Sequence, residues 1–513
     1  MPQAIQNLSD LSRDAIAEFR KVAGGAPMDA DVLAKAGITV SSGLVWYDLQ
    51  APSKNLFPVL TPLRNKIPRT TANGGTATNW KAVTGINTLN LQPFVPEGVR
   101  NGLVTTTVVD KSAAYRSFGL EDSVTFEADL AAKNLEDVRA TTAQRLLWAT
   151  MIQEELCILG SNGTNGVALG TPLNPAMTCV GTGGTVPDDA GGYTMTVVAL
   201  TMLGYRASAV TLAGVPQVVT VVSADGTSFT YNAGSSQKSA PVTSAATTGG
   251  GTNSIQCSVT AVVGAVGYAW YIAAHDAPAP LLQGLTTVNS FLWKTPVAGT
   301  QLDTAITADC SKNSLAFEGI LAQAFATGSG AYIKTLATGT PGVGTGLTAS
   351  GRGTITEIDT MIQSMYDNYK IVVDELFVSA QEMNQMANKM FGGTANGNLR
   401  YTVAVDGSEG KGNELIAGVS TIRYPNLLGL GRETIPVTVH PHMPSGTLLG
   451  ATYALPYPIN GVPNVMEMKM RRDYYQIEWP MRTRKYESGV YADGALTHYF
   501  PPSIGIINNI SNV

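Results

Sequence analysis

The chain has 513 residues, a formal net charge of −5 and only 14% charged side chains. That length predicts two or three domains, and the sparse, slightly acidic charge excludes a polybasic reader of nucleic acid. Cys157, Cys179, Cys257 and Cys310 are far apart with no CxxC, which excludes a small disulfide scaffold and a cysteine zinc site.

In chain order, the N-terminal MPQAIQNLSDLSRDAIAEFRKV carries acids and no apolar core of signal-peptide length, and no 18-residue apolar run follows anywhere. A soluble chain made in the cytoplasm, with no membrane partner, is expected. Ser9 to Val22 predicts a short amphipathic helix capped by Ser9 or Asp10. Residues 38–69 hold Pro52, Pro58, Pro62 and Pro68 among large apolar residues, so they should run extended while burying Trp46, Tyr47, Leu56 and Phe57. TATNWKAVT and LVTTTVVDKSAAYRSFG are β-rich runs around a Pro/Gly/Asn tip, GINTLNLQPFVPEGVRNG. They predict a projecting two-stranded arm. No Gly or Pro interrupts the chain between Gly119 and Gly160, and the good helix formers there predict one long helix over 121–160. Asn162-Gly163-Thr164 matches a glycosylation sequon and is read as a turn.

From Thr171 to about Asp309 charges nearly vanish and Gly, Thr, Ser, Val and Ala dominate. The runs YTMTVVALT, QVVTVVSA, TSFTYNA, SIQCSVTAVV, GYAWYIAAH and NSFLWK predict about six strands, close to the number in a sandwich. Gly342, Gly344 and Gly346 have no Lys-Ser/Thr after them and predict a loop, not a phosphate cradle. Ile355, Ile358, Met361, Ile362 and Met365 lie on one helical face and predict core. Beyond residue 415, short strands and hairpins dominate, among them MEMKMRRDYYQIEW and ALTHYFPPSIGII.

Little in the chain suggests chemistry. His440 and His442 would share one face of a strand but have no third ligand nearby in sequence, so packing or interface histidines are expected. No G-x-S-x-G lies near any histidine, and Glu154-Glu155 and Asp188-Asp189 are read as solvated faces. No catalytic, cofactor-binding or metal-binding residue is assigned.

The segment GLVWYDLQAPSKNLFPVLTPLRNKIPR at 43–69, the long β-arm, the helix and then ILGSNGT at 158–164 together resemble the major capsid protein of tailed bacteriophages. The resemblance covers about 1–170, resumes near Leu315, and rests on order and texture. It implies an α+β chain with the Hong Kong 97-like capsid fold and an all-β sandwich insertion. The implied divisions are an N-terminal arm (1–69), an extended β-arm (70–118), a P domain with the spine helix (119–171 and 451–513), an insertion (172–309) and an A domain (310–450).

Within the insertion, VTAVVGAVGYAWYIA resembles the second and third strands of a fibronectin type III module. GGYTMTVVALTMLGYRAS resembles that module's last two strands yet comes first. The implied function is self-assembly, as hexamers and pentamers, into an icosahedral virion shell enclosing double-stranded DNA. The DNA would be contacted non-specifically, with portal, scaffolding and decoration proteins as further partners. Lys81 and Lys111 lie in the arm, but no motif identifies an Asn partner for the crosslink some members make. Between subunits, Glu97 and Arg100 of the arm tip should meet opposite charges, the acid among Arg471, Arg472, Arg482, Arg484 and Lys485. The alternative is a phage surface or tail adhesin with an immunoglobulin-like module.

Overall fold

The computed structural model describes residues 57–87, 93–133, 136–211, 214–277, 279–350, 353–391, 423–429, 434–456 and 461–512. The expected helix over Ser9 to Val22, and Trp46, Tyr47 and Leu56 of the extended segment, lie outside these residues; Phe57 is exposed rather than buried. The chain divides into two compact units, residues 1–57 with 127–138, and residues 58–126 with 139–513. Of the first, the described part is mainly helical residues of the 127–131 stretch and the turn after them. All that follows on sheets and cores belongs to the second.

Helix α1 (Pro62–Lys66) starts on a proline, whose missing N–H costs nothing at that position. Strands β1 (Arg69–Thr71), β2 (Ala77–Asn87), β3 (Thr105–Ala114) and β4 (Arg116–Thr125) follow. The expected unbroken helix over 121–160 is not what forms. Residues 116–125 are strand, helix α2 covers only Phe126–Ala131, and helix α3 begins at Val138 and ends at Gly160. Ser123, Val124 and Thr125 pair with Glu487, Tyr486 and Lys485, so a sheet partner overrides the helical composition of that stretch. At 23 residues, α3 is about 35 Å long.

Next come β5 (Ala176–Val180), β6 (Tyr193–Leu200), α4 (Met202–Ala207), β7 (Val218–Val222), β8 (Ser228–Asn232), β9 (Val242–Thr243), β10 (Ser254–Ser258), β11 (Gly267–Ala274), β12 (Leu281–Thr286) and β13 (Ser290–Trp293). Sheets ordered β13-β10-β5 and β12-β11-β6-β9 share one core, in which Met195, Val197, Ile255, Cys257, Trp270 and Trp293 are buried. Strand β6 is apolar on both faces. Met195, Val197 and Ala199 enter that core, while Val198 and Leu200 meet Val215, Leu282 and Ile306 behind it. Among the described residues, strands β7 and β8 pair only with each other.

The remaining elements are α5 (Ile320–Phe325), β14 (Tyr332–Thr335), α6 (Thr356–Tyr369), β15 (Glu375–Val378), α7 (Ala380–Phe391), β16 (Arg423–Pro425), β17 (Thr434–Val439), β18 (Leu448–Ala451), β19 (Met466–Glu478), β20 (Lys485–His498) and β21 (Ile504–Asn508). A six-stranded mixed sheet runs β14-β21-β18-β15-β17-β16, and Ile358, Met361, Ile362 and Met365 of α6 pack on it. A second sheet runs β1-β19-β20-β4. Met466, Met468 and Met470 alternate inward from β19 to meet Leu156, Ile158 and Leu159 of α3. The terminal stretch from 451 therefore divides. Strands β19 and β20 share the core of the helix, and so do Ile504 and Ile506 of β21, which is at the same time an inner strand of the other sheet, because IGII is apolar on both faces and needs neighbours on both sides.

Candidate assembly surface

Strands β2 and β3 form an antiparallel ribbon that pairs from Ala77↔Ala114 out to Asn87↔Thr105, with a bulge between Val83 and Gly85. Eleven residues of β2 extend about 36 Å. The first eight residues of β3, from Thr105 to Ser112, are all exposed, so neither face of the ribbon has a core along most of its length. Val83 and Ile86 on one strand and Val108 and Val109 on the other are open to solvent. Beyond them, Phe94 and Leu103 are each 86% exposed.

Among the described residues, the ribbon's contacts with a core lie at its base. Ala113 and Tyr115 are buried against Ala495, and the Trp80 ring meets Tyr499 edge-on at 5.4 Å. Arg471 donates to the Asp493 carboxylate (Nε to Oδ2, 2.7 Å) and to the Gly75 carbonyl at 3.1 Å, while its guanidinium lies over the Tyr115 ring.

Glu97 and Arg100 are exposed beyond the paired strands. Their five expected counterparts fall into different settings. Arg471 is engaged at the ribbon's base, Arg472 stacks on Tyr475 at 4.0 Å, and Arg482, Arg484 and Lys485 are exposed at the β19–β20 turn. Lys81 pairs loosely with Asp110 across the ribbon at 3.7 Å, both in water.

The sequence reading missed a charge cluster under α1. Glu154 and Glu155, expected to face water, are both 0% exposed. Glu154 accepts from Arg64 Nε at 2.7 Å, from Arg69 Nη1 at 2.5 Å and from the Tyr474 hydroxyl. Arg69 also grips Asp473 with two nitrogens, at 2.6 and 3.2 Å. Glu155 accepts from the Leu63 and Arg64 N–H groups, at 2.9 and 2.7 Å, and thereby closes the start of α1.

His440 Nδ1 accepts the His442 N–H at 3.1 Å, so its Nε2 carries the proton and donates to Glu155 at 2.6 Å. Burial raises the Tyr474 hydroxyl's pKa, and the Glu154 charge raises it further. Burial works against the charge on Arg64, but Tyr474 and Glu154 hold it firmly protonated. Lys66 pairs with Glu375 of β15, which also accepts from Tyr453 OH at 3.1 Å. One signal for this cluster was present in the sequence: Glu155 falls four residues after Met151 and three before Ile158, on the apolar stripe of the helix.

The other sequence readings resolve simply. Asn162 of the sequon is buried, and its amide donates to Val167 and Ser311 carbonyls at 2.7 and 2.8 Å, which fixes a turn. Gly342 and Gly344 take positive φ in a loop, with the Gly342 N–H donating to Ser290 Oγ at 3.0 Å. Asp188 accepts from the Gly250 N–H and from Asn253 in an exposed turn.

No family model and no curated protein matches the chain. Solved structures do. The capsid of Myoviridae phage XM1 is 10% identical over 92% of this chain and 99% of that one, with a TM-score of 0.41. The capsid of a native GTA particle is 8% identical over 93% and 98%, also at 0.41. The capsid of cyanophage P-SCSP1u is 8% identical over 94% and 95%, at 0.38. Identities this low and TM-scores below 0.5 leave the function to be read from the chain's own geometry.

Proposed function

We propose that this chain is a major capsid protein of a tailed bacteriophage. It assembles as hexamers and pentamers into the icosahedral head shell around double-stranded DNA, and its role is structural, not enzymatic. The single observation that carries the reading is the β2–β3 ribbon, anchored at its base and apolar on exposed faces along its length. An isolated two-stranded ribbon is marginal in water, so this one is built to lie on another molecule. A neighbouring copy is the partner that the low charge and the order of segments favour.

In this reading Glu97 reaches Arg472, Arg482, Arg484 or Lys485 of the neighbour, and Arg100 an acid there. Each exposed pair contributes only about 0 to 1 kcal/mol but recurs at every contact of a closed shell. The division into arm, β-arm, P domain, insertion and A domain follows the boundaries given above, with β21 assigned to the A-domain sheet. The sandwich over 172–309 would stand on the outer face, since a nearly uncharged domain bearing Asp188, Asp189, Asp225 and Asp276 offers phosphates little. DNA would be touched non-specifically by scattered basic side chains. Portal, scaffolding and decoration proteins are the other partners implied.

Electron microscopy of the expressed chain tests the proposal: closed particles of megadalton mass are expected. A small discrete oligomer, whether or not a scaffolding partner is supplied, overturns it.

A further inference from the structure

The second ribbon, β7–β8, carries a free edge whose sequence is its own complement. Strand β7 reads Val218-Val219-Thr220-Val221-Val222, the same in both directions. The phase of its pairing with β8 is fixed at both ends. The Ser223 N–H donates to the Thr227 carbonyl at 2.8 Å, and the Ala233 N–H to the Gln217 carbonyl at 2.8 Å. With Val219 opposite Tyr231 and Val221 opposite Phe229, residues 217, 219, 221 and 223 direct their backbone groups toward β8. Val218, Thr220 and Val222 therefore direct theirs outward. Among the described residues no other strand pairs with that edge. The same three side chains share one face, where Val218 is 52% and Val222 68% exposed.

We infer that this edge is a docking surface for the same edge of a second copy of the chain, the two β7 strands pairing antiparallel about a twofold axis through Thr220. That register sets all three outward residues against outward residues, Val218 against Val222 and Thr220 against Thr220, for about six hydrogen bonds, more than a register shifted by two can make. It joins two ribbons into a four-stranded sheet.

Charge favours an identical partner. From Pro216 to Gln237 the sole charged side chain is Asp225. The twofold sets the two copies of Asp225 about 33 Å apart, well beyond the screening length of about 8 Å. The edge also lacks the lysines and prolines that ordinarily block such pairing. Five residues of strand bury less than the roughly 1,200 Å² a stable dimer needs. The contact is therefore weak between free chains and becomes firm where other contacts already hold copies side by side. The inference rests on the proposed shell only for that reinforcement.

The test is a Thr220→Cys chain, full length, oxidised mildly at high concentration and in whatever particles it forms. Opposed residues of a hydrogen-bonded antiparallel pair have Cα atoms about 5.5 Å apart, within disulfide reach. A disulfide-linked dimer that disappears on reduction is expected. Thr230→Cys, one strand further out on each side and thus about 14 Å from its mate, should crosslink no more than the unaltered chain. Thr220→Lys, which sets like charges against each other on the axis, should weaken the association at least tenfold in sedimentation while leaving the melting temperature unchanged. Equal crosslinking at 220 and 230, or association indifferent to Thr220→Lys, overturns the inference. Particles without a 220–220 crosslink remove it and leave the shell reading standing; a 220–220 crosslink without particles does the reverse.

Discussion

Glu154 neutralises two guanidinium groups that the fold has largely withdrawn from water, since the Arg64 and Arg69 side chains are only 14% and 19% exposed. Removing one partner of a buried pair leaves the other charge without compensation, which typically costs about 3 to 5 kcal/mol. Glu154→Ala should lower the unfolding free energy by that amount, read as a lower urea midpoint at an unchanged slope, and Glu154→Gln, which keeps the shape and one acceptor, by less. Equal midpoints for Glu154→Ala and the unaltered chain would show that the cluster adds nothing to stability. The burial was hard to read because adjacent acids are ordinarily solvated. What buries them is a cationic segment, Arg64 to Arg69, about 90 residues away in sequence, and nothing local announces such a partner.

At the scale of elements, the ribbon was legible and the length of the helix was not. The β-rich composition of the two runs and the Pro/Gly/Asn tip between them are local signals, and they predicted the pairing that forms. Residues 121–125, Glu-Asp-Ser-Val-Thr, carry no breaker, and their strand state is imposed by β20, 360 to 368 positions later (Thr125 opposite Lys485, Glu121 opposite Gly489). The place of β21 was hidden likewise, because its parallel neighbour β14 lies 173 positions earlier (Tyr332 opposite Gly505). Deleting 85–100 should leave a subunit that stays soluble and folded, because the ribbon's core contacts lie at its base, yet forms no shells on electron micrographs. Normal shells from that deletion would remove the ribbon from the assembly role.

Taken whole, the second unit is cross-tied where a modular chain would be loose. Asn509 adopts a positive φ at the end of β21 and donates to the Asn289 side-chain carbonyl at 2.9 Å and to the Leu336 carbonyl at 2.8 Å. It accepts the Asn289 N–H at 2.8 Å. Asn289 in turn donates to Val259 of the sandwich region at 2.7 Å. Met202 and Val266 from that region also share a core with Leu159, Phe317 and Ile320. Asn509→Ala leaves the buried Asn289 N–H without its acceptor and the Asn289 side-chain carbonyl without its donor, and places alanine in a left-handed conformation, at about 2 to 4 kcal/mol together. Calorimetry should show a lower transition that separates into two; a single transition at the original temperature would mean that the tie carries no coupling.

The inner position of β21 has a consequence for the order of events during synthesis. Strand β14 is made at residues 332–335, but the neighbour that joins it to β18 is made at 504–508. At ordinary translation rates the ribosome needs roughly 9 to 35 s to cover that interval. Strands β15 to β18 are made within it, yet until β21 follows, β14 has no neighbour and the facing edge of β18 stands open. The β2–β3 ribbon, by contrast, has long since emerged. A nascent chain thus exposes its projecting ribbon well before the six-stranded sheet can close, and the emergence of β21 sets the earliest moment at which that closure is possible.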